Sequence, residues 1–243
     1  MLCALFLAGL GFSSAISSVL PYPALTQPAQ TESSGMRGSI EGRVVFTGKT
    51  IPHPTVIENG TDPQSCGVEQ SFEDLLVSKE NRGIQNVILS LANEAFRLKP
   101  RPPGGKLVLD NRKCRFDPHV AVLTAGSTVE AINSDAIFHT THLYSGPSSR
   151  NLSLHVGGKA RHVLQRPGFV IVKCDIHGWM KAFIRVDNHP FHAVSDADGK
   201  FQIRGIPEGS YTLEVWHEYY GEQKLAVTVR GGKTARLEIK YPN

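Results

Sequence analysis

Cys174-Asp-Ile-His177-Gly-Trp-Met180 closes the run Gly168-Phe-Val-Ile-Val-Lys173. An apolar strand ending in a loop that carries a thiol, an imidazole and a thioether decides how the rest of the chain is read. All three are soft donors, and at this spacing they can converge on one ion. A fourth donor is expected upstream. There Phe116-Asp-Pro118-His-Val120-Ala-Val122 and Gly126-Ser-Thr-Val129 read as strands and lead through Asn133-Ser-Asp135 to Phe138-His139-Thr-Thr-His142. His139 completes a set of four, and His142 competes with it. Residues three apart on an extended strand point to opposite faces, so only one of the two faces the ion.

The 243 residues are 40% hydrophobic and 20% charged, ordinary globular chemistry that excludes wholesale disorder, a collagen-like chain and a polytopic membrane protein. The 26 basic and 22 acidic residues are mixed along the chain for a net charge of +4. This pattern lacks the basic stripe of a nucleic-acid binder, and no nucleic-acid partner is expected. Gly and Pro scattered between short Val, Ile, Leu and Thr runs predict an all-β chain of many strands joined by turns.

Leu2 to Leu20 is almost wholly apolar or small and carries no charge, then gives way to a Pro, Gln, Thr and Ser stretch. Residues 1–36 read as a signal peptide and linker, although the usual basic start is missing; an uncleaved N-terminal anchor is the alternative. Either way the bulk of the chain is expected to be exported, periplasmic or secreted, with no stable membrane span after cleavage. Outside the cytosol a thiol pairs or holds something. Cys3 leaves with the signal peptide. If Cys66 and Cys114 pair, Cys174 is left alone, and holding an ion gives it a reason.

Two imidazoles and a thiolate with a weak axial thioether are the donors of a type 1 (blue) copper site. The order Phe116-x-Pro118, Gly126, Asn133-x-Asp135, His139 and Cys174-x2-His177-x2-Met180 resembles the cupredoxins, blue-copper proteins of the plastocyanin and amicyanin type, over roughly Lys106 to Asn188. The resemblance implies a Greek-key β-sandwich at residues 105–189. It implies one type 1 copper with His139, Cys174 and His177 equatorial and Met180 axial, and it favours His139 over His142. It further implies one-electron transfer with a redox partner protein, leaving through the edge of His177 between Gly178 and Trp179; Trp179 as a core residue is the other reading. One departure stands out: Thr140 occupies the place where cupredoxins often have Asn, which affects hydrogen bonding near the ion rather than ligation. The plainer alternative is that Cys174, His177 and Met180 merely pack, but a core does not call for an imidazole on that loop and a second upstream. Zinc suits a thioether poorly. His119 and His155 read as accessory ligands at most, and His53, His162, His189, His192 and His217 as packing or surface residues.

After Lys181–Asp187 the composition changes at His189-Pro190. Ser195-Asp-Ala-Asp-Gly199-Lys-Phe201 and Ile206-Pro-Glu-Gly-Ser-Tyr211 set tight turns between alternating strands. They resemble the carboxypeptidase regulatory-like (transthyretin-like) β-sandwich over about Pro190 to Tyr241, a segment too short to close two sheets. Gly38 to Gly48 and Ile84 to Leu91 resemble its missing strands. Residues 37–104 and 190–243 are therefore expected to form one smaller, discontinuous sandwich around an inserted cupredoxin. Two sequential domains, with 37–104 extending the first, is the conservative alternative. Asp196-x-Asp198-Gly199 lacks the further acidic positions of a calcium loop and reads as a turn. Trp216, Tyr219 and Tyr220 offer a stacking platform for a sugar. That platform would make the chain an envelope carbohydrate- or protein-binding module with copper in a structural or storage role. Hairpin packing is the favoured reading, with Trp216 continuing the alternation of Tyr211, Leu213 and Val215. No nucleophilic triad or phosphate loop stands out, and no enzyme is expected.

Overall fold

Alternation of apolar and polar residues governs nearly every strand of the computed structural model, which describes residues 36–96 and 105–242. The expected signal peptide lies outside the described residues. Strand β1 (Arg37–Phe46), the short pair β2 (Val56–Glu58) and β3 (Glu69–Ser71) with helix α1 (Pro63–Cys66) between them, and β4 (Ile88–Leu91) come first. Nine strands follow: β5 (Lys106–Arg112), β6 (Arg115–Asp117), β7 (Val120–Thr124), β8 (Ser127–Asn133), β9 (His139–Ser145), β10 (Ser148–Leu154), β11 (Lys159–Leu164), β12 (Gly168–Lys173) and β13 (Lys181–Asp187). The chain ends with β14 (His192–Val194), β15 (Lys200–Pro207), β16 (Gly209–His217), β17 (Gly221–Val229) and β18 (Thr234–Tyr241). The fold is all-β, and among the described residues no helix is long and apolar enough to cross a membrane.

The nine central strands make a five-stranded sheet, β10-β9-β12-β13-β7, and a four-stranded sheet, β11-β8-β5-β6. β7 runs parallel to β13, and β5 runs parallel to β8. Parallel neighbours need crossovers from one sheet to the other, which gives the sandwich its Greek-key character. In β12 the pleat turns Val170 and Val172 inward and Ile171 and Lys173 outward. Those valines join Leu109, Val129, Leu143, Ile184 and Val186 in one core.

Strands from before and after this sandwich pair with each other. β1 lies between β15 and β18, antiparallel to the first and parallel to the second, and β4 lies between β14 and β16 in the sheet β14-β4-β16-β17. Ile40, Val44, Leu89, Leu213, Val215 and Ile239 share the second core. Asp196 is a turn residue: its Oδ1 accepts the backbone N–H of Asp198 (2.9 Å) and of Lys200 (2.8 Å). Gly199 is required there, because its φ is +74° and a Cβ would stand 2.2 Å from the Val44 carbonyl oxygen.

Trp216 departs from the hairpin-packing expectation. The inward positions of β16 are Leu213, Val215 and His217, so Trp216 has the opposite parity and faces away from the second core. Its indole is covered by Phe169 of β12 and Phe183 of β13, with ring centroids 4.6 and 5.0 Å away. The tryptophan thus packs one sandwich on the other rather than forming an open platform with Tyr219 and Tyr220.

Candidate metal centre

The site lies at one end of the first sandwich, where β9 begins and β12 stops. β9 and β12 pair with His142 opposite Lys173, so the next residue along, Cys174, falls beside the start of β9. The loop from Cys174 to Met180 is closed on itself. Met180 N–H donates to the His177 carbonyl (2.9 Å), and Cys174 N–H donates to the Met180 carbonyl (3.3 Å). Upstream, Asn133 frames the approach to His139. Its side-chain amide donates to the carbonyls of Ile137 and Leu154, and its Oδ1 accepts the Asp135 N–H.

His139, Cys174 and His177 bring their ligand atoms within 4.8 Å of one another, and all three are buried, as is Met180. Both rings turn Nδ1 toward the sulfur: Cys174 Sγ is 3.9 Å from His139 Nδ1 and 3.6 Å from His177 Nδ1. Both far nitrogens meet a carboxylate, His139 Nε2 at 3.0 Å from Asp135 Oδ2 and His177 Nε2 at 3.1 Å from Asp62 Oδ2. An ionised carboxylate only accepts, so each Nε2 carries a hydrogen, and each Nδ1 is the nitrogen turned to the sulfur. Asp135 is itself held by the backbone N–H groups of Lys113 (2.6 Å) and Cys114 (2.8 Å).

Burial pushes the Cys174 thiol up, but a hydrogen bond with His139 and others from the backbone at Thr140, His177 and Ile176 outweigh it and bring the thiol down to about 6. The thiolate is the metal-binding form. Burial pushes His139 down, and its contacts with Cys174 and Asp135 outweigh that and raise it. Thr140 keeps its hydroxyl near the thiol, 3.8 Å from Sγ, and accepts the Asp175 N–H at 2.8 Å.

These donors fit a copper ion. A sulfur and a nitrogen bound to one ion at the roughly 2.3 and 2.0 Å typical of zinc, at trigonal angles, stand about 3.7 Å apart, and the two observed separations bracket that figure; the thioether of Met180 is what favours copper over zinc. The carboxylates on both far nitrogens are the outer partners that metal-binding imidazoles usually have.

The structure places the remaining histidines elsewhere. His142 has the outward parity on β9 and is tied to Asp175 (3.0 Å) and the Tyr144 hydroxyl (2.9 Å). His119 pairs with Glu218, and exposed His155 lies beside Phe138 with the rings tilted at 57°. His189 and His192 gather around Asp187, and His217 is buried in the second sandwich. Trp179 is half-buried against the first core and donates its indole N–H to the Cys114 carbonyl (2.9 Å).

The expected open edge of His177 is absent, since the ring is 0% exposed. Asp62 stands against its Nε2, and the Trp179 ring lies 5.2 Å from it, centroid to centroid. The disulfide between Cys66 and Cys114 is present, leaving Cys174 as the free cysteine among the described residues. Asp62 and Asp135 escaped sequence reasoning as partners of the two rings, although Asp135 lies four residues before His139 in a recognised turn.

Residues 180–241, well under half of the chain, match the family model of the carboxypeptidase regulatory-like domain. The match starts inside the ligand loop, ahead of His189-Pro190. No curated protein matches the chain in sequence at a significant level. Among solved structures, a methionine-to-alanine mutant of amicyanin in the Cu(I) state is 19% identical over 40% of this chain and 92% of its own, with a TM-score of 0.32. A purple cupredoxin from Nitrosopumilus maritimus is 19% identical over 34% of this chain and 99% of its own, with a TM-score of 0.30. A copper-containing nitrite reductase from Thermus scotoductus SA-01 is 28% identical over 37% of this chain, with a TM-score of 0.31, and the match spans 23% of that enzyme's length. Likenesses of this extent add nothing to what the strand order and the side chains show.

Proposed function

We propose that the chain is an exported mononuclear copper protein that carries one electron at a time, with His139, Cys174 and His177 as principal ligands and Met180 as a weak axial one. One observation carries this reading: two buried imidazoles, each with Nε2 engaged by a carboxylate, aim Nδ1 at one buried thiol. Bound copper would supply one-electron exchange between Cu(II) and Cu(I), since thiolate, imidazole and thioether suit both states. The protein's part is to hold the donors still. Strand ends fix His139 and Cys174, the closed loop fixes His177 and Met180, and burial keeps water from adding as a further ligand. The disulfide suits an oxidising compartment and supports export.

In this reading the copper sandwich, residues 105–189, is inserted between residues 37–104 and 190–243, which form the second sandwich; the pairing of β1 with β15 and β18 supports it. The partner is proposed to be a redox protein. It does not touch an open His177 edge, because that ring is covered. Titrating the reduced, metal-free chain with Cu(II) tests the assignment. An intense blue charge-transfer band saturating at one equivalent is expected, absent in Cys174→Ser and severely weakened in His139→Ala. A colourless one-to-one complex would replace electron transfer by storage or structural binding.

A further inference from the structure

The carboxylate against His177 comes from neither sandwich's principal sheets. Asp62 belongs to the segment 59–71, which contains α1 and ends in β3. Cys66 anchors it to Cys114 by the disulfide, and Arg115 anchors its end by donating to the Ser71 carbonyl (3.1 Å). Asp62 stands at the start of α1 in the left-handed region, φ 50° and ψ 47°, a conformation that disfavours non-glycine residues. An Asp at this position ordinarily spends its carboxylate on the first N–H groups of the helix. Here no such side-chain bond is made, and Oδ2 lies 3.1 Å from His177 Nε2 instead. A left-handed backbone, which takes Asp62 out of the usual capping geometry, thus aims one carboxylate at one ring. The anchor belongs to the same arrangement, because the Cys114 N–H binds Asp135, the carboxylate on His139.

We propose that Asp62 is a positioning residue for His177: the disulfide-stapled segment delivers its carboxylate to the Nε2–H, locks the ring with Nδ1 toward Cys174 and closes the loop edge to solvent. The effect on metal rests on the copper reading above; the effect on the ring does not. A carboxylate on the far nitrogen makes an imidazole a better donor and adds negative charge beside the ion, which favours Cu(II) over Cu(I).

Nitrogen-15 NMR of the metal-free, disulfide-intact chain reads the ring directly. Wild type should show His177 as the single Nε2–H tautomer with slow proton exchange. Asp62→Ala should mix the tautomers and speed exchange at least about tenfold, and should weaken Cu(II) binding about 10- to 100-fold. Asp62→Asn keeps an acceptor and should keep the tautomer while losing part of the affinity, which separates the hydrogen bond from the charge. Replacing Cys66 and Cys114 together by Ser leaves Asp62 in place but frees the segment, and should also expose the ring. Unchanged tautomer and exchange in Asp62→Ala would overturn the proposal; should that variant unfold, mixed tautomers or fast exchange at His177 in the wild-type chain would overturn it. A wild-type chain that binds no copper yet shows the Asp62-dependent ring would sink the copper reading and leave the positioning role standing.

Discussion

Among the described residues, two clusters free of disulfide cysteines pass the same test of proximity, His139 with Cys174 and His177, and Asp187 with His189 and His192; in each the potential ligand atoms lie within 4.8 Å of one another. They differ in what the ligand atoms face. In the first, carboxylates take the far nitrogens and leave both Nδ1 atoms aimed at a thiol. In the second the ligand atoms that face one another are spent on other partners or on each other. His189 gives Nε2–H to the Leu91 carbonyl (2.8 Å), and its Nδ1 accepts the Phe191 N–H (3.1 Å). Asp187 accepts from Ser90 (2.7 Å), Asn93 (3.0 Å), Arg185 (2.8 Å) and His192 (2.9 Å). The guanidinium of Arg185 already supplies the cation. What the ligand atoms face, rather than closeness, marks a metal site, and the second cluster is a polar rivet joining β13 to β4 and β14.

The largest expected effect breaks the comparison if it fails. Cys174→Ser should abolish the blue band outright, whereas His192→Ala should leave copper stoichiometry at one by titration. Loss of copper in the His192 variant would make the rivet a metal site after all.

Next in size is Asp187→Ala, which should destabilise the fold by about 3–5 kcal/mol, because it leaves Arg185 and three other donors short of a buried partner. Urea unfolding of the metal-free protein measures it, and a cost below about 1 kcal/mol would contradict the rivet.

Acid should reveal two smaller losses. Burial pushes the Asp187 carboxyl up, but His192, Arg185 and Ser90 outweigh it and hold it at about 2. Its folded value lies below its unfolded one, so its stabilisation is complete above about pH 4 and is lost as pH falls toward 2, roughly 2–3 kcal/mol in all. Asp187→Asn should flatten that limb of the stability curve. His217 is pushed by burial down to about 4 and stays neutral in the fold. Its contribution is present above about pH 6.5 and disappears as pH falls toward 4, so His217→Gln should flatten only the upper limb. Thermal melts across this range separate the two.

The smallest effect is expected at His142. Its pair with Asp175 is partly exposed, so His142→Ala should leave the blue band intact and cost less than about 1 kcal/mol. Loss of the band would exchange the roles of the two histidines on β9.

Much of the site was legible because its parts are local. A strand running into Cys174-x2-His177-x2-Met180, and a turn running into His139, are patterns within a few residues, and strand parity separates His139 from His142. Counting by twos from Leu213 and Val215 also reaches His217, so the outward place of Trp216 was readable too. The enclosure of His177 was not. Asp62 reaches it across 115 residues from a left-handed backbone, and no periodicity reports where such a segment docks. The rivet was hidden for the same reason, since Ser90 and Asp187 meet across 97 residues through side chains that, read singly, look like ordinary solvated polar groups.

X-ray absorption at the copper edge, on the full chain loaded with one equivalent, tests most directly whether copper takes the two Nδ1 atoms and the thiolate. One short copper–sulfur bond and two imidazole nitrogens are expected, the sulfur lost in Cys174→Ser and the whole pattern unchanged in His192→Ala. A shell of nitrogen and oxygen alone, with no short sulfur, would contradict the assignment.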